Sequence, residues 1–188
     1  MILSTVLDQL EVEKVFGLLF KDHPIYLISE QDEDKAFDSK EYIKRIDISD
    51  IVHNPLDWKE FIHEPCLIIF DDIDSISCKK KANAIELLRD QMLKNARKYG
   101  ISVISTSHEG CEGKKTKAVL NESRVIVFFP RNYNRSLKYL MESYIGLDKI
   151  GIEKIKHSKS RWCAYVKAYP SYLIEEKRII TIPKLSSN

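Results

Sequence analysis

Cys66-Leu67-Ile68-Ile69-Phe70-Asp71-Asp72-Ile73-Asp74 runs four large apolar residues straight into two carboxylates. An apolar run that short, opened by Pro65 and closed by polar residues, reads as a strand buried on both faces. Strands buried on both faces belong to parallel sheets covered by helices. Ligands of such sheets bind outside the carboxyl ends of the strands, where Asp71 and Asp72 stand.

The flanking segments supply the remaining layers. Ile25-Tyr26-Leu27-Ile28 reads as a strand before the acidic turn Ser29–Asp34, and Arg45-Ile46-Asp47-Ile48 as a further short strand. Ala82, Ile85, Leu88, Met92 and Ala96 form an apolar stripe along a helix from Lys79 to Lys98, ended by Gly100. Ile101–Ser105 is the next strand, delivering Thr106-Ser107-His108 to the sheet edge, and a polar loop, Glu109 to Lys117, follows it. Arg124–Phe129 is another buried strand, stopped by Pro130. Leu3 to Leu19 recur at helical spacing, as do Leu137 to Tyr144, and a short helix covers about 149–156. Arg161–Ala168 and Tyr172–Ile182, rich in aromatic and β-branched residues, read as a β-hairpin or two edge strands. Ile25–Ile28, Leu67–Asp71, Ser102–Thr106 and Val125–Phe129 are expected to form one parallel core. With no repeat, low-complexity tract or linker, residues 1–188 read as a single α/β domain.

The bulk numbers narrow the classes. Of the 188 residues 44% are hydrophobic and 31% charged, the composition of an ordinary globular protein. A net charge of +2 neither demands nor excludes nucleic acid. No apolar run approaches the roughly 20 residues of a membrane span, and no secretory signal opens the chain. Cys66, Cys78, Cys111 and Cys163 lack C-x-x-C spacing and read as reduced thiols in a reducing compartment, without a zinc site.

A buried strand that delivers an acidic pair to a sheet edge has the Walker B pattern. One carboxylate there holds Mg²⁺, usually through water, and the next polarises the water that attacks a γ-phosphate. An Asp turn after a buried strand explains the pair without chemistry. A polar residue on the following strand, here His108, would sense the γ-phosphate; a strand-end histidine needs no ligand. Arg97, at the end of the long helix, is read as lying near the same edge, although the helix dipole also accounts for a cation there. The phosphate cradle G-x-x-x-x-G-K-[ST] is absent. The nearest stretch, Gly110-Cys111-Glu112-Gly113-Lys114-Lys115-Thr116, has its glycines two residues too close and an extra lysine before Thr116, and reads as a flexible basic loop. Lys79–Lys81, and Lys114, Lys115 and Lys117, are candidate contacts to DNA phosphates, though charge runs of this length are also ordinary solvated surface. Asp71, Asp72 and Asp74 as a two-metal nuclease site is a further reading.

Taken together these residues resemble the genome-packaging ATPases of large cytoplasmic DNA viruses, including the poxvirus type, within the FtsK–HerA superfamily of P-loop motors. Pro24–Ser29 resembles the family's second strand, and Ala36–Ser39 with Tyr42–Asp47 its next segment. Leu67–Asp74 is similar to Walker B, Ala96–Ser102 to a Gly-Arg-His segment with Ala96 and Lys98 substituted, and Thr106–His108 to the sensor strand. Leu120–Ser123, Phe128–Arg131, Lys138–Leu140, Tyr144–Leu147 and Ser160–Trp162 follow in the family's order, so the resemblance covers about 24–180.

The resemblance implies a P-loop NTPase-like three-layer fold with a mostly parallel sheet and a C-terminal β-hairpin. The first strand and P-loop are missing, and the chain is expected to be truncated at its amino end relative to the family, split from a longer gene, or a degenerate paralogue. It implies a viral DNA-packaging motor, or its C-terminal portion, hydrolysing ATP with Mg²⁺. Asp71 would hold the metal, Asp72 act as general base, His108 sense the γ-phosphate and Arg97 serve a neighbouring site. Expected partners are double-stranded DNA, further copies in a homo-oligomeric ring, and capsid or portal components. The expected location is a viral factory in the host cytoplasm, or the virion. A non-catalytic assembly or DNA-binding module is the alternative, because no Walker A is present.

Overall fold

The computed structural model describes residue 20 and residues 22–31, 33–108 and 113–182. The expected helix over 3–20 therefore lies almost wholly outside the described residues. The chain is mixed α/β and divides into two compact units, Ile2–His108 and Glu109–Asn188.

The first unit is built on a parallel sheet of order β2-β1-β3-β4, with β1 Ile25–Ser29, β2 Ile43–Arg45, β3 Leu67–Asp71 and β4 Ser102–Ser105. All five residues of β3 are buried. Side chains alternate across a strand, so Ile68 and Phe70 join one core with Ile28, Ile51, Ile85, Leu88 and Met92. Leu67 and Ile69 join the other, with Ile25, Leu27 and Phe37. Burial of this kind stabilises by about 1.5–3 kcal/mol for each large side chain, which is why an unbroken apolar run, and not an alternating one, encodes this strand. The first core is roofed by α2 (Ile48–His53) and α3 (Lys79–Asn95); α1 (Lys35–Asp38) supplies Phe37 to the second.

The expected strand Arg45–Ile48 is corrected: β2 ends at Arg45 and Ile48 opens α2. Asp47 stands between them and its Oδ1 accepts from the Ser49 amide at 2.6 Å. An N-cap of this kind outweighs the β-branched character of Ile46 and Ile48.

The second unit carries an antiparallel sheet of order β5-β6-β7-β8, with β5 Val125–Phe128, β6 Cys163–Val166, β7 Tyr172–Glu175 and β8 Ile179–Thr181. The helices are α4 (Gly113–Glu122), α5 (Arg135–Tyr139), which continues as a π-helical segment Leu140–Ile145, and α6 (Lys149–Lys156). Leu120, Leu137, Leu140, Met141, Ile152 and Ile155 pack with Ile126, Phe128, Cys163 and Leu173 in one core. The expected C-terminal hairpin is present and extends to three strands, β6-β7-β8.

Placing Val125–Phe129 in the parallel core, beside the 102–106 strand or across a gap from it, is corrected. β5 pairs antiparallel with β6, Phe128 opposite Cys163 and Val125 opposite Val166. Val125 is 45% exposed whereas Ile126 and Phe128 are buried, the one-sided burial of an antiparallel strand. The apolar run concealed that alternation because its outward positions are valines.

The basic loop expected over 109–117 is likewise corrected from Gly113 onward, where α4 begins. Lys, Ala and Leu favour helix, and the two glycines masked that preference. Lys167 closes its carboxyl end, donating to the carbonyls of Leu120 and, at 3.1 Å, Asn121. Burial draws the Lys167 ammonium below its ordinary pKa.

Cys66, at the entry to β3, and Cys163, in β6, are buried free thiols. Burial pushes their pKa values up to about 11 and about 12.

Phe70→Ala is expected to lower the unfolding free energy by about 3–5 kcal/mol, the cost of emptying an aromatic core position. Leu87→Ala, at a position of α3 that is 61% exposed, should change it by no more than about 0.5 kcal/mol. Urea denaturation followed by far-ultraviolet circular dichroism measures both.

Candidate functional site

Strands β3 and β4 are parallel neighbours in register from Leu67 opposite Ser102 to Phe70 opposite Ser105. Their carboxyl ends therefore emerge side by side. Asp71 and Asp72 leave β3 there, and Thr106, Ser107 and His108 leave β4.

Asp71 closes the strand at 2% exposure, with Ser29 of β1 opposite it on its other flank. Asp72 is 9% exposed and takes the left-handed conformation, φ 48° and ψ 33°. Aspartate is among the few non-glycine residues that enter this region readily. Both backbone groups of Asp72 are held: its amide donates to Thr106 Oγ1 at 2.8 Å, and its carbonyl accepts from the Ser75 amide at 3.0 Å and Ser75 Oγ at 2.7 Å. The chain thus turns sharply out of β3 into the 3-10 turn Ile73–Ser75.

Thr106 ties the two strand ends together. It is 1% exposed, and its amide continues the ladder to the Phe70 carbonyl at 2.9 Å. Its hydroxyl lies 2.9 Å from Asp71 Oδ1 and 3.3 Å from Asp72 Oδ1. A hydroxyl has one proton, so it donates to one carboxylate at a time while accepting from the Asp72 amide. His108 Nε2 stands 3.1 Å from Asp72 Oδ2, with the imidazole 57% exposed and the carboxylate 12%. Ser107 Oγ donates to the Asp74 carboxylate. The result is an acidic pair with restricted access to solvent, fastened underneath by a threonine and faced by an open imidazole.

The other candidate residues lie elsewhere. Arg97 is exposed in the 3-10 turn Ala96–Tyr99 that follows α3. Placing it near the carboxylates is corrected: Gly100, three residues on, has φ 77°, and a Cβ built there falls 3.3 Å from Pro65 Cβ, just ahead of β3. A helix that leaves the carboxyl end of one parallel strand must return to the amino end of the next. Arg97 is therefore at the opposite edge, about 17 Å away by the length of a five-residue strand. Lys114, Lys115 and Lys117 belong to α4 in the other unit, with Lys117 exposed. Cys78, ahead of α3, is exposed, and the Lys81 and Lys80 amides draw its thiol pKa below the ordinary value.

Among the described residues no group of three or more His, Cys, Asp or Glu side chains is placed to hold a metal. Asp71 and Asp72 by themselves are fewer ligands than an all-protein cage for a divalent cation supplies. The sequence reading missed Thr106 as the fastening and Ser75 as the second anchor of Asp72. A hydroxyl residue directly after the apolar run of β4 was the available signal for Thr106; the bond from Ser75 depends on the unusual backbone of Asp72.

No family model and no solved structure matches the chain. It is 35% identical over 118 residues to "Uncharacterized protein V3" of Sputnik virophage. That alignment takes in 62% of this chain and 48% of the virophage protein, so the chain spans about half the length of that relative. No helix among the described residues is long and apolar enough to cross a membrane.

Thr106→Val is expected to destabilise the protein by about 1–3 kcal/mol, because the buried Asp72 amide loses its acceptor and Asp71 a donor. Thr106→Ser keeps the hydroxyl and should lose only about 0.8 kcal/mol for the methyl group. Equal losses in urea denaturation would remove the hydroxyl from its fastening role.

Proposed function

We propose that this chain is a viral DNA-packaging ATPase of the FtsK–HerA type, or the C-terminal portion of one. The observation that carries the reading is the juxtaposition of Asp71, Asp72 and His108 at the carboxyl edge of adjacent parallel strands, with His108 Nε2 3.1 Å from Asp72 Oδ2. The virophage relative supports a viral setting. In this reading Asp71 would hold Mg²⁺ through water, and the metal would neutralise charge on the nucleotide phosphates. Asp72 is the general base that orients and deprotonates the attacking water. Its left-handed backbone, held by Thr106 and Ser75, sets the direction of the carboxylate. His108 is open enough to reach a γ-phosphate and passes its state to Asp72 through their contact. Arg97, at the far edge of the sheet, can serve only the site of a neighbouring subunit, which fits a ring. Double-stranded DNA and capsid or portal components are the partners, and a viral factory or the virion is the place of action.

The second reading is a non-catalytic assembly or DNA-binding module. It is favoured by the Gly113–Thr116 stretch, the sequence's nearest approach to a phosphate loop, which opens helix α4 with two lysines between glycine and threonine.

Calorimetry with Mg²⁺ and ATP separates the two. This chain alone is expected to bind ATP with a dissociation constant above about 1 mM, less than about 4 kcal/mol of binding. Adding a segment that carries G-x-x-x-x-G-K-[ST] should restore tight binding and turnover. In that complete protein Asp72→Asn should abolish turnover and leave binding nearly intact, while Asp71→Asn should weaken Mg²⁺-dependent binding. Equal loss of binding in both variants would overturn the assigned roles.

A further inference from the structure

The net charge of +2 conceals a division between the two units. Residues 1–108 hold 14 Lys and Arg against 20 Asp and Glu, a formal charge of −6; residues 109–188 hold 16 against 8, a formal charge of +8. Segregation of this size is an electrostatic signature of a polyanion-binding unit.

Within the basic unit the sheet gathers cations at one end. Phe128 at the end of β5 is opposite Cys163 at the start of β6, which is opposite Glu175 at the end of β7. Arg131, beyond β5, therefore shares that end with Lys159 and Arg161, before β6, and with Lys177 and Arg178, in the β7–β8 turn. Contacts confirm the grouping. Arg131 Nη2 donates to the Lys159 carbonyl at 3.4 Å, Arg161 Nε donates to Glu176 at 3.2 Å, and Lys156 Nζ lies 4.6 Å from the centroid of the Tyr133 ring.

The acids at this end are already engaged. Glu175 is bound by Arg178, Glu153 by Lys156 and Glu176 by Arg161. Hydrogen bonds from the Arg161 amide and side chain hold the Glu176 carboxyl below its usual range, helped by the field of Arg131. Arg131, Lys159 and Lys177 are exposed and left in surplus, beside Tyr133, which is 38% exposed. Cations next to an accessible aromatic ring suit a phosphate backbone with sugar or base edges at its side.

We infer that this end of the antiparallel sheet, centred on Arg131, Lys159 and Lys177, is a contact surface for the nucleic-acid backbone. This deepens the DNA part of the proposed function by naming its surface. It moves the contact away from Lys114, Lys115 and Lys117, and the charge argument holds whether or not ATP is hydrolysed.

The test is fluorescence anisotropy of a labelled 20-base-pair DNA duplex with the full chain, without nucleotide, across a KCl series. The wild type should bind with a salt dependence that requires several phosphate contacts. The variant Arg131→Gln/Lys159→Gln/Lys177→Gln should bind at least tenfold more weakly, with the slope of log K against log salt reduced by about 2–3, near 0.9 per lost contact. Its circular dichroism should match the wild type, since all three side chains are on the surface. Lys44→Gln/Lys59→Gln/Lys94→Gln, exposed in the acidic unit, should leave affinity unchanged. The inference is overturned by unchanged affinity and slope in the first variant, or by an equal loss in the second. It is also overturned if poly-glutamate competes as well as unlabelled duplex. Binding without any ATPase activity would support this surface while removing the motor reading.

Discussion

One hydroxyl group governs the candidate site. Thr106 Oγ1 receives the Asp72 amide and offers a single proton to two carboxylates, at 2.9 and 3.3 Å. All of this happens below the surface, where an unpaired amide or carboxylate would be costly. The contact makes the two aspartates unequal. Asp71, more buried and nearer the hydroxyl, is the fixed partner. Asp72, turned through the left-handed region, is the one that faces the exposed imidazole of His108. The difference in setting between the two carboxylates thus follows from the Thr106 contact and the left-handed backbone of Asp72.

How much of this was legible depended on which interactions are local. The β3 strand was readable because burial on both faces leaves an uninterrupted apolar run, Leu67–Phe70. The partnership of β3 with β4 was readable because a single long helix joins them. Arg97 was misplaced for a reason that geometry could have supplied: a parallel crossover carries the chain from one edge of the sheet to the other. The direction of β5 was not readable, because a four-residue strand with valines facing outward has the same composition as a fully buried one. Asp47 as a helix cap, and Thr106 as a tie between strands, belong to a third kind. Each rests on one side-chain hydrogen bond, which sequence periodicity does not register.

The two units also differ in what their sequences must accomplish. The parallel unit has apolar residues on both faces of its sheet and places its acidic chemistry at strand ends. The antiparallel unit builds one core beneath one face and accumulates basic side chains beyond it. Average composition over the whole chain cancels these opposite signs, so a bulk charge near neutrality is no guide to what either part attracts.

The cysteines give this division an experimental use. Each unit hides one thiol in its own core, Cys66 beside β3 and Cys163 within β6, and burial keeps both protonated. A disulfide reagent reaches such a sulfur only when its surroundings open. With Cys111 replaced, and exposed Cys78 marking zero time, the two modification rates become separate clocks for the opening of the two sheets. If the clocks run together, the units unfold as one cooperative body; if they run apart, each sheet carries its own stability.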